Sequence, residues 1–332
     1  MNSDLHRWIP ALAGLKVLVA GDLILDEYLI GSATRLSREA PIPVLEFEER
    51  RLIPGGAANP AANIAALGST AIQLGVIGAD DHATALRELL QARGIDVSAL
   101  VVDAARPTTV KTRVMAHMGL RFPQQVARID RVSRTPLPLA ADQEIRRHLH
   151  HTVHQVQAVL FSDYRAGLLS LGLVEAGRQL ARQSGALLAA DAQGELHKYT
   201  GFDVIKCNAD EARAFLRRSL VSDADFAEAA RELAVTLHIQ RAVVITRGAD
   251  GATVALPNES EQHLPAPRTT EVFDTVGAGD TTIAVLTLAL TAGATPVEAV
   301  MLANIASGLV VRRVGNYAPS AEELAEALNA AD

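Results

Sequence analysis

The sequence predicts an α/β protein, a doubly wound and mainly parallel sheet with a small β lid, and three observations predict it. Short apolar runs that end in glycine or a polar residue alternate with helix-like segments along most of the chain. Two stretches break that rhythm by alternating apolar and polar residues with no helix in them. The chain has 332 residues, 49% of them hydrophobic, enough for a sizeable core; roughly 150 residues per domain allows two domains or one large unit with an insertion.

The first element is "KVLVAG" (16–21), an apolar, β-branched run closed by glycine, as a strand buried on both faces would be. "GDLILD" (21–26) then places Asp22 and Asp26 at the strand's C-terminal end, either as a solvated loop or as acceptors for sugar hydroxyls. "APIPVLEFEER" (40–50) and "TTVKTRVMAH…QQVARID" (108–130) alternate as antiparallel strands with one exposed face do, and predict a lid of two segments at about 30–52 and 100–131. Between them, helix-like "NPAANIAALG" (59–68) leads to strand-like "AIQLGVIG" (71–78) and to a helix over 81–94, capped by Asp81 and closed by Gly94. "SRTPLPLAADQ" (133–143) returns from the lid. Strands follow at 158–162, 186–191, 202–207 and 242–246, with helices between them. Such a sheet binds ligands beyond the C-terminal ends of its strands, so functional residues are expected in the loops after strands.

Composition excludes several classes. With 31 basic against 38 acidic residues and a net charge of -7, the surface has the wrong sign for neutralising a phosphate backbone, so no nucleic acid is expected. Cys207 is the only cysteine, which rules out an intrachain disulfide and suits a reducing compartment. The N-terminus does not read as a secretory signal, and no segment reaches the roughly 20 apolar residues of a membrane span. The expectation is a soluble, cytoplasmic protein with no membrane partner.

"DTVGAGDTT" (274–282) precedes the apolar run "IAVLTLAL". Glycines at 277 and 279 let backbone N–H groups converge, and a helix starting near Ala278 adds its positive end, which together make an anion site. Asp280 in that first turn has two readings. A carboxylate is favourable at any helix N-terminus, and beside a phosphate cradle it can also take the proton from an attacking hydroxyl. "PGGAANPAANIAALG" (54–68) sets Gly55, Gly56 and Asn59 where they can bond polyol hydroxyls, against the alternative of alanine-mediated helix packing. "RRHLHHTVH" (146–154) has histidines at helical spacing but no carboxylate or cysteine placed to complete a metal site. Met115 and Met118, flanking His117, read as interface or filler.

"GGAANPAANIAALG" and "DTVGAGDTT", with "GDLILD", "NADE" (208–211) and "TRGADG" (246–251) in the same order, resemble the signature segments of the ribokinase-like (PfkB) carbohydrate kinases over roughly residues 16–325. Within that family, "GDLILDEYLIGSATRLSREAPIPVLEFEER" (21–50), "PTTVKTRV" (107–114), "RID" (128–130) and "SDY" (162–164) resemble the kinase domain that phosphorylates D-glycero-D-manno-heptose 7-phosphate at the anomeric position, towards ADP-heptose. The resemblance implies one kinase domain over 1–332 with no appended nucleotidyltransferase domain, ATP and Mg²⁺ as cofactors with K⁺ as a further candidate, and a homodimer paired through the lid.

For the site, the resemblance implies Asp280 as general base and the N–H groups of Gly277, Ala278 and Gly279 as the phosphoryl cradle. Asp26, Gly55, Gly56 and Asn59 would bind the sugar. Asn208 and Glu211 would order Mg²⁺ through water; read on their own they are a helix cap and its reciprocal acid. Thr246, Gly248, Gly251 and Asn304 would lie along the nucleotide, and Asp274 would hold a monovalent cation. A phosphorylated acceptor needs cations facing it, and Lys111, Arg113, Arg128 and Arg165 are the candidates, each open to the alternative of an ion pair such as one with Asp130. Two stretches depart from the subfamily. "AQ" stands between Asp191 and Gly194 where proline and lysine are usual, and "SDY" is followed by "RAG" where a lysine commonly precedes the glycine. The alternatives are a PfkB kinase of another sugar, sugar phosphate or nucleoside, and a sugar- or nucleotide-binding regulator without turnover.

Overall fold

The computed structural model describes residues 2–119, 123–256, 261–267, 272 and 274–330. The lid-segment residues 120–122 lie outside that set. In chain order the elements begin with β1 (Lys16–Gly21), β2 (Leu23–Leu36), β3 (Pro43–Gly56), α1 (Ala58–Ala66), β4 (Thr70–Ile77), α2 (Asp81–Ala92) and β5 (Leu100–Val102). The lid's second pair, β6 (Val110–His117) and β7 (Gln124–Arg131), precedes α3 (Leu139–Val153), β8 (Ala158–Asp163), α4 (Leu171–Ser184) and β9 (Leu187–Ala192). The chain then runs through β10 (Val204–Asn208), α5 (Ala209–Leu216), α6 (Asp223–Thr236), β11 (Ala242–Thr246), β12 (Ala252–Ala255) and β13 (Gln262–Leu264). Helices α7 (Ala278–Thr291), α8 (Pro296–Val310) and α9 (Ala321–Ala330) follow.

Among the described residues the main sheet has nine strands in the order β13-β12-β11-β10-β9-β8-β1-β4-β5. It is parallel from β5 to β11, and only β12 and β13 pair antiparallel. The parallel strands carry apolar side chains on both faces because helices cover both. One core layer lies under α1, α2, α7, α8 and α9, the other under α3, α4 and α6. Helix α7 is buried from Asp280 through Leu290, which explains its unbroken apolar sequence. The order reverses at β1, which pairs with β4 on one side and β8 on the other. In open sheets of this kind that reversal opens a crevice at the strands' C-terminal ends.

The lid is a separate sheet of order β3-β2-β6-β7. Its boundaries differ from the sequence expectation of 30–52 and 100–131. The segment after Asp22 is not a loop but the start of the long strand β2, and Leu100–Val102 belongs to the main sheet. The central pair β2·β6 is parallel, while β2·β3 and β6·β7 are antiparallel. A second correction concerns α2, which is capped by Asp80 rather than Asp81. The Asp80 carboxylate accepts from the Ala83 N–H at 2.9 Å and from the Thr108 hydroxyl at 2.7 Å, so one acid both starts the helix and fastens the chain entering β6. Among the described residues no helix is long and apolar enough to cross a membrane.

Candidate active site

Two cavities that meet at Tyr164 lie on this side of the sheet, a large one of about 960 Å³ and a small one of about 160 Å³. The large cavity opens at the ends of β9, β10 and β11 and at the N-terminus of α7. It is lined by Asn208, Glu211, Thr246, Gly248, Gly251 and Asn304, and by the run Gly277 to Asp280. Every residue expected along a nucleotide therefore lies in one cavity with the expected cradle. The first N–H groups of α7 have no preceding carbonyl in the helix to bond, an arrangement that suits an anion, and the Ala278 N–H meets the Thr275 carbonyl only at a long 3.4 Å. Gly277 has φ +84°, and a Cβ on it would come within 2.8 Å of Asn59 Nδ2 and 3.0 Å of Asn316 Oδ1. Glycine is thus required both by backbone conformation and by close packing.

Asp280 is nearly inaccessible to solvent, and both of its oxygens are engaged. The Tyr164 hydroxyl donates to Oδ1, and Asn59 Nδ2 donates to Oδ2 at 2.8 Å. Behind Asn59 a chain of amides fixes its orientation. The Thr281 hydroxyl donates to Asn63 Oδ1 at 2.9 Å, and Asn63 Nδ2 donates to the Asn59 carbonyl at 2.9 Å and to its Oδ1 at 3.3 Å. Burial, reinforced by the nearby Asp191 carboxylate, raises the Asp280 pKa to about 6, while the bonds from Tyr164 and Asn59 and the charge of Lys206 act to lower it. A carboxylate in this state changes protonation near neutral pH, as a general base requires.

Lys206 and Asp191, at the ends of β10 and β9, form a buried ion pair at 2.8 Å beside the cradle, and a Cβ on Gly279 would reach Lys206 Nζ at 2.9 Å. Burial works against the charged lysine, but the charge and hydrogen bond of Asp191, together with the charges of Glu211 and Asp280, hold the Lys206 pKa above its ordinary value. Removing one partner strands the other. Lys206→Met is expected to cost about 3–5 kcal/mol of stability, measurable as a lower urea midpoint. A midpoint within experimental error of the parent's would show that Asp191 is not left charged.

The small cavity adjoins at the lid. Lys111, Arg128, Arg134 and Arg165 line it, with Asp130, Tyr164 and Ala166. Three of the four expected phosphate-facing cations are there, and Arg134 joins them from a segment expected to be a linker. The fourth, Arg113, is not. It is paired with Asp26 and stacks over Tyr28, its guanidinium 5.2 Å from the ring centroid. Asp26 in turn accepts from Asn316 Nδ2 at 2.7 Å, so the acid expected to bind sugar is already neutralised and hydrogen-bonded. Arg128 is held by both oxygens of Asp130, at 2.8 and 3.0 Å, the ion-pair alternative. Lys111 lies 5.5 Å from the Tyr164 ring centroid, and burial lowers its pKa. The side chains of Arg134 and Arg165 have no ion pair among the described residues.

Other expected residues are held by local hydrogen bonds or close packing. Gly55 lies against the Asp26 carboxylate, and Gly56 has φ +58° with its Cα facing the Asp22 carbonyl. Asn208 and Glu211 form the capping box of α5, with bonds of 2.9 and 2.7 Å, while both line the large cavity. Burial raises the Glu211 pKa. Asp274 accepts N–H bonds from Val276 at 3.0 Å and Gly315 at 2.9 Å, stapling two loops. Asp22 is a latch: its carboxylate accepts from the N–H groups of Tyr164, Ala166 and Leu168 at 3.0–3.1 Å, fixing the loop after β8. The two stretches that depart from the subfamily meet in space, with Arg165 Nη1 3.6 Å from a Cβ built on Gly194.

The model of the pfkB family carbohydrate kinases matches residues 15–323. The bifunctional protein HldE of Caulobacter sp. (strain K31) is 39% identical over 98% of this chain and 65% of its own length. HldE of Hyphomonas neptunium is 38% identical over 100% of this chain and 67% of its own. The chain spans about two thirds of the length of these curated relatives. Phosphofructokinase-2 from Escherichia coli, solved with substrates and products, superposes with a TM-score of 0.77 at 21% identity, covering 96% of this chain and 99% of that one. Arabidopsis thaliana ribokinase, solved with ribose and ATP, gives 0.76 at 18%, covering 95% and 99%. At such identities the two structures are similar in fold.

Proposed function

The chain belongs to the pfkB family of carbohydrate kinases, and from that premise we propose that it transfers the γ-phosphoryl group of ATP to the anomeric hydroxyl of D-glycero-D-manno-heptose 7-phosphate. The observation that carries the proposal is the place of Asp280. It lies in the large cavity among all the nucleotide-side residues, while Tyr164, bonded to it, also walls the small cationic cavity. A nucleotide in the first and an anionic acceptor in the second would meet at this carboxylate.

In this reading Asp280 takes the proton of the anomeric hydroxyl as that oxygen attacks the γ-phosphorus, and the bond from that phosphorus to the β–γ bridging oxygen breaks as ADP leaves. The N–H groups of Gly277, Ala278 and Gly279 hold the transferring group, and Lys206 adds positive charge beside Gly279. Lys111, Arg128, Arg134 and Arg165 hold the 7-phosphate. Asp26, with Gly55 and Gly56 behind it, bounds the sugar from the lid side, and Asn59 serves by orienting Asp280. While Asp191 is taken by Lys206, Asn208 and Glu211, oxygen donors on the wall of the large cavity, suit Mg²⁺ held through water, a hard cation that takes oxygen ligands and keeps several waters. When bound it neutralises phosphate charge. A potassium ion at Asp274 comes from the resemblance alone, since the staple to Val276 and Gly315 accounts for that carboxylate. A homodimer through the lid agrees with the apolar side chains the lid exposes, Leu36, Ile42, Phe47 and Ile129 among them.

A second reading, another phosphorylated acceptor, is favoured by one observation: the small cavity keeps its cations although two lysines usual in the subfamily are missing from its border at 191–194 and 165–167. The product separates the readings. Phosphorus NMR after incubation with ATP, Mg²⁺ and heptose 7-phosphate is expected to show a second phosphate on C1, beside the one at C7. An unchanged heptose 7-phosphate spectrum, with turnover of a fructose phosphate instead, would replace the first reading by the second.

A further inference from the structure

Among the described residues, Tyr164 is the one that lines both cavities. Its hydroxyl is spent on Asp280, and its ring carries Lys111 on the side of the small cavity. Its backbone is held unusually firmly. Asp22 accepts from the N–H groups of Tyr164 and of two residues beyond it, and the next acid, Asp163, accepts from the Arg165 N–H at 2.8 Å, from the Tyr199 hydroxyl at 2.7 Å and from Lys198 at 2.7 Å. Asp22 thus spends three hydrogen bonds on the loop that presents this ring, and Asp163 adds a fourth while tying the loop's start to Tyr199 and Lys198. Arg165, next in the chain, takes φ +57°, so the loop turns sharply and sends Tyr164 towards Asp280 and Arg165 to the rim of the small cavity.

We propose that Tyr164 is a positioning residue that couples the seating of an anionic acceptor to the orientation of Asp280. The inference rests on the kinase reading above and adds a means of telling acceptors apart. An acceptor whose anionic end fills the small cavity presses on Lys111 and on the ring, and through the hydroxyl on Oδ1 of the base. A neutral sugar leaves that wall untouched. The hydroxyl is a donor to a carboxylate, so it stabilises the ionised form of Asp280 from within a buried site.

The test is the pH profile of kcat for Tyr164→Phe, which removes one oxygen and keeps the ring. The acid limb is expected to move upward by roughly half to one pH unit and kcat at pH 7 to fall about tenfold, while KM for the phosphorylated acceptor changes by less than about threefold. An unmoved acid limb, or a rise in KM with kcat unchanged, would overturn the positioning role. If the phenylalanine variant does not fold, 3-fluorotyrosine at position 164 keeps the shape and makes a stronger donor, so the limb is expected to move downward; no movement refutes the proposal. Coupling is read from a cycle with Lys111→Met. The two kcat losses are expected to combine to less than their product, and simple multiplication would show the cavity and the base to be independent. A parent protein that phosphorylates no sugar speaks against the kinase reading, whereas an active parent with an unmoved limb in the variant speaks against Tyr164 alone.

Discussion

Asp280→Asn is expected to lower kcat by about two to four orders of magnitude while leaving nucleotide affinity within a few fold. The expectation comes from what the substitution leaves in place. An asparagine amide can turn its oxygen to Asn59 Nδ2 and its nitrogen to the Tyr164 oxygen, so packing at the head of α7 and the cradle N–H groups survive, and only the ability to take a proton is lost. The same change makes a prediction about stability. Burial and Asp191 raise the Asp280 pKa from 3.8 to about 6, so the folded protein binds this proton more tightly than the unfolded chain does. That contribution is complete below about pH 4 and is lost as pH rises through 6, which leaves an ionised Asp280 costing about 3 kcal/mol at pH 8. The variant should therefore unfold at a higher temperature than the parent at pH 8, with the difference shrinking towards pH 4. Activity of the parent should fall below about pH 6 as the base becomes protonated. A variant that is inactive but no more stable at pH 8 would mean that the carboxylate is not strained by its site.

Lys111→Met with Arg134→Met is the second large expected effect. Charge-assisted hydrogen bonds to a phosphate contribute about 1.5–3 kcal/mol each, so losing two should raise KM for a phosphorylated acceptor by about 100-fold or more, with kcat falling less. These two are chosen because Arg128 is shared with Asp130, Arg165 sits at φ +57° in the turn that presents Tyr164, and Arg113 lies outside the cavity in its pair with Asp26. The lowered pKa of Lys111 means that it holds its proton less tightly before an anion arrives, and a bound phosphate should raise it. KM for that acceptor should accordingly rise at alkaline pH in the parent and much less so in the double variant. Equal KM values for the two proteins would move the acceptor's phosphate elsewhere.

The lining of the large cavity was legible because its signals are local. A glycine pair before a buried helix, an Asn with an acid three residues on, and a glycine loop after a strand are each complete within a few residues, and each lies at the C-terminal end of a strand, where a doubly wound sheet must put its ligands. The surroundings of Asp280 and the small cavity were less legible because they are set by pairs distant in sequence. Asn59 reaches Asp280 across 221 residues and Tyr164 reaches it across 116. Arg113 lost its place as a phosphate ligand to Asp26, a partner brought beside it by the parallel register of β2 and β6. Arg134 was hidden in a segment whose prolines suggested only a return path. A signal for Lys206 did exist: a lone lysine inside "FDVIKC" must be buried with its strand, and a buried charge requires a partner. The lid's true start was also hinted at, since "LILDEYLI" is too apolar for a solvated loop.

The central claim is that an anionic acceptor and a nucleotide meet at Asp280. It is tested most directly by the ratio of kcat/KM for heptose 7-phosphate to that for the same heptose without its phosphate, measured in the parent and in the Lys111→Met, Arg134→Met double variant. The ratio is expected to be large in the parent and to fall about 100-fold or more in the double variant, the unphosphorylated sugar being turned over equally by both. A ratio near one in the parent, or a large ratio that the double variant keeps, would contradict it.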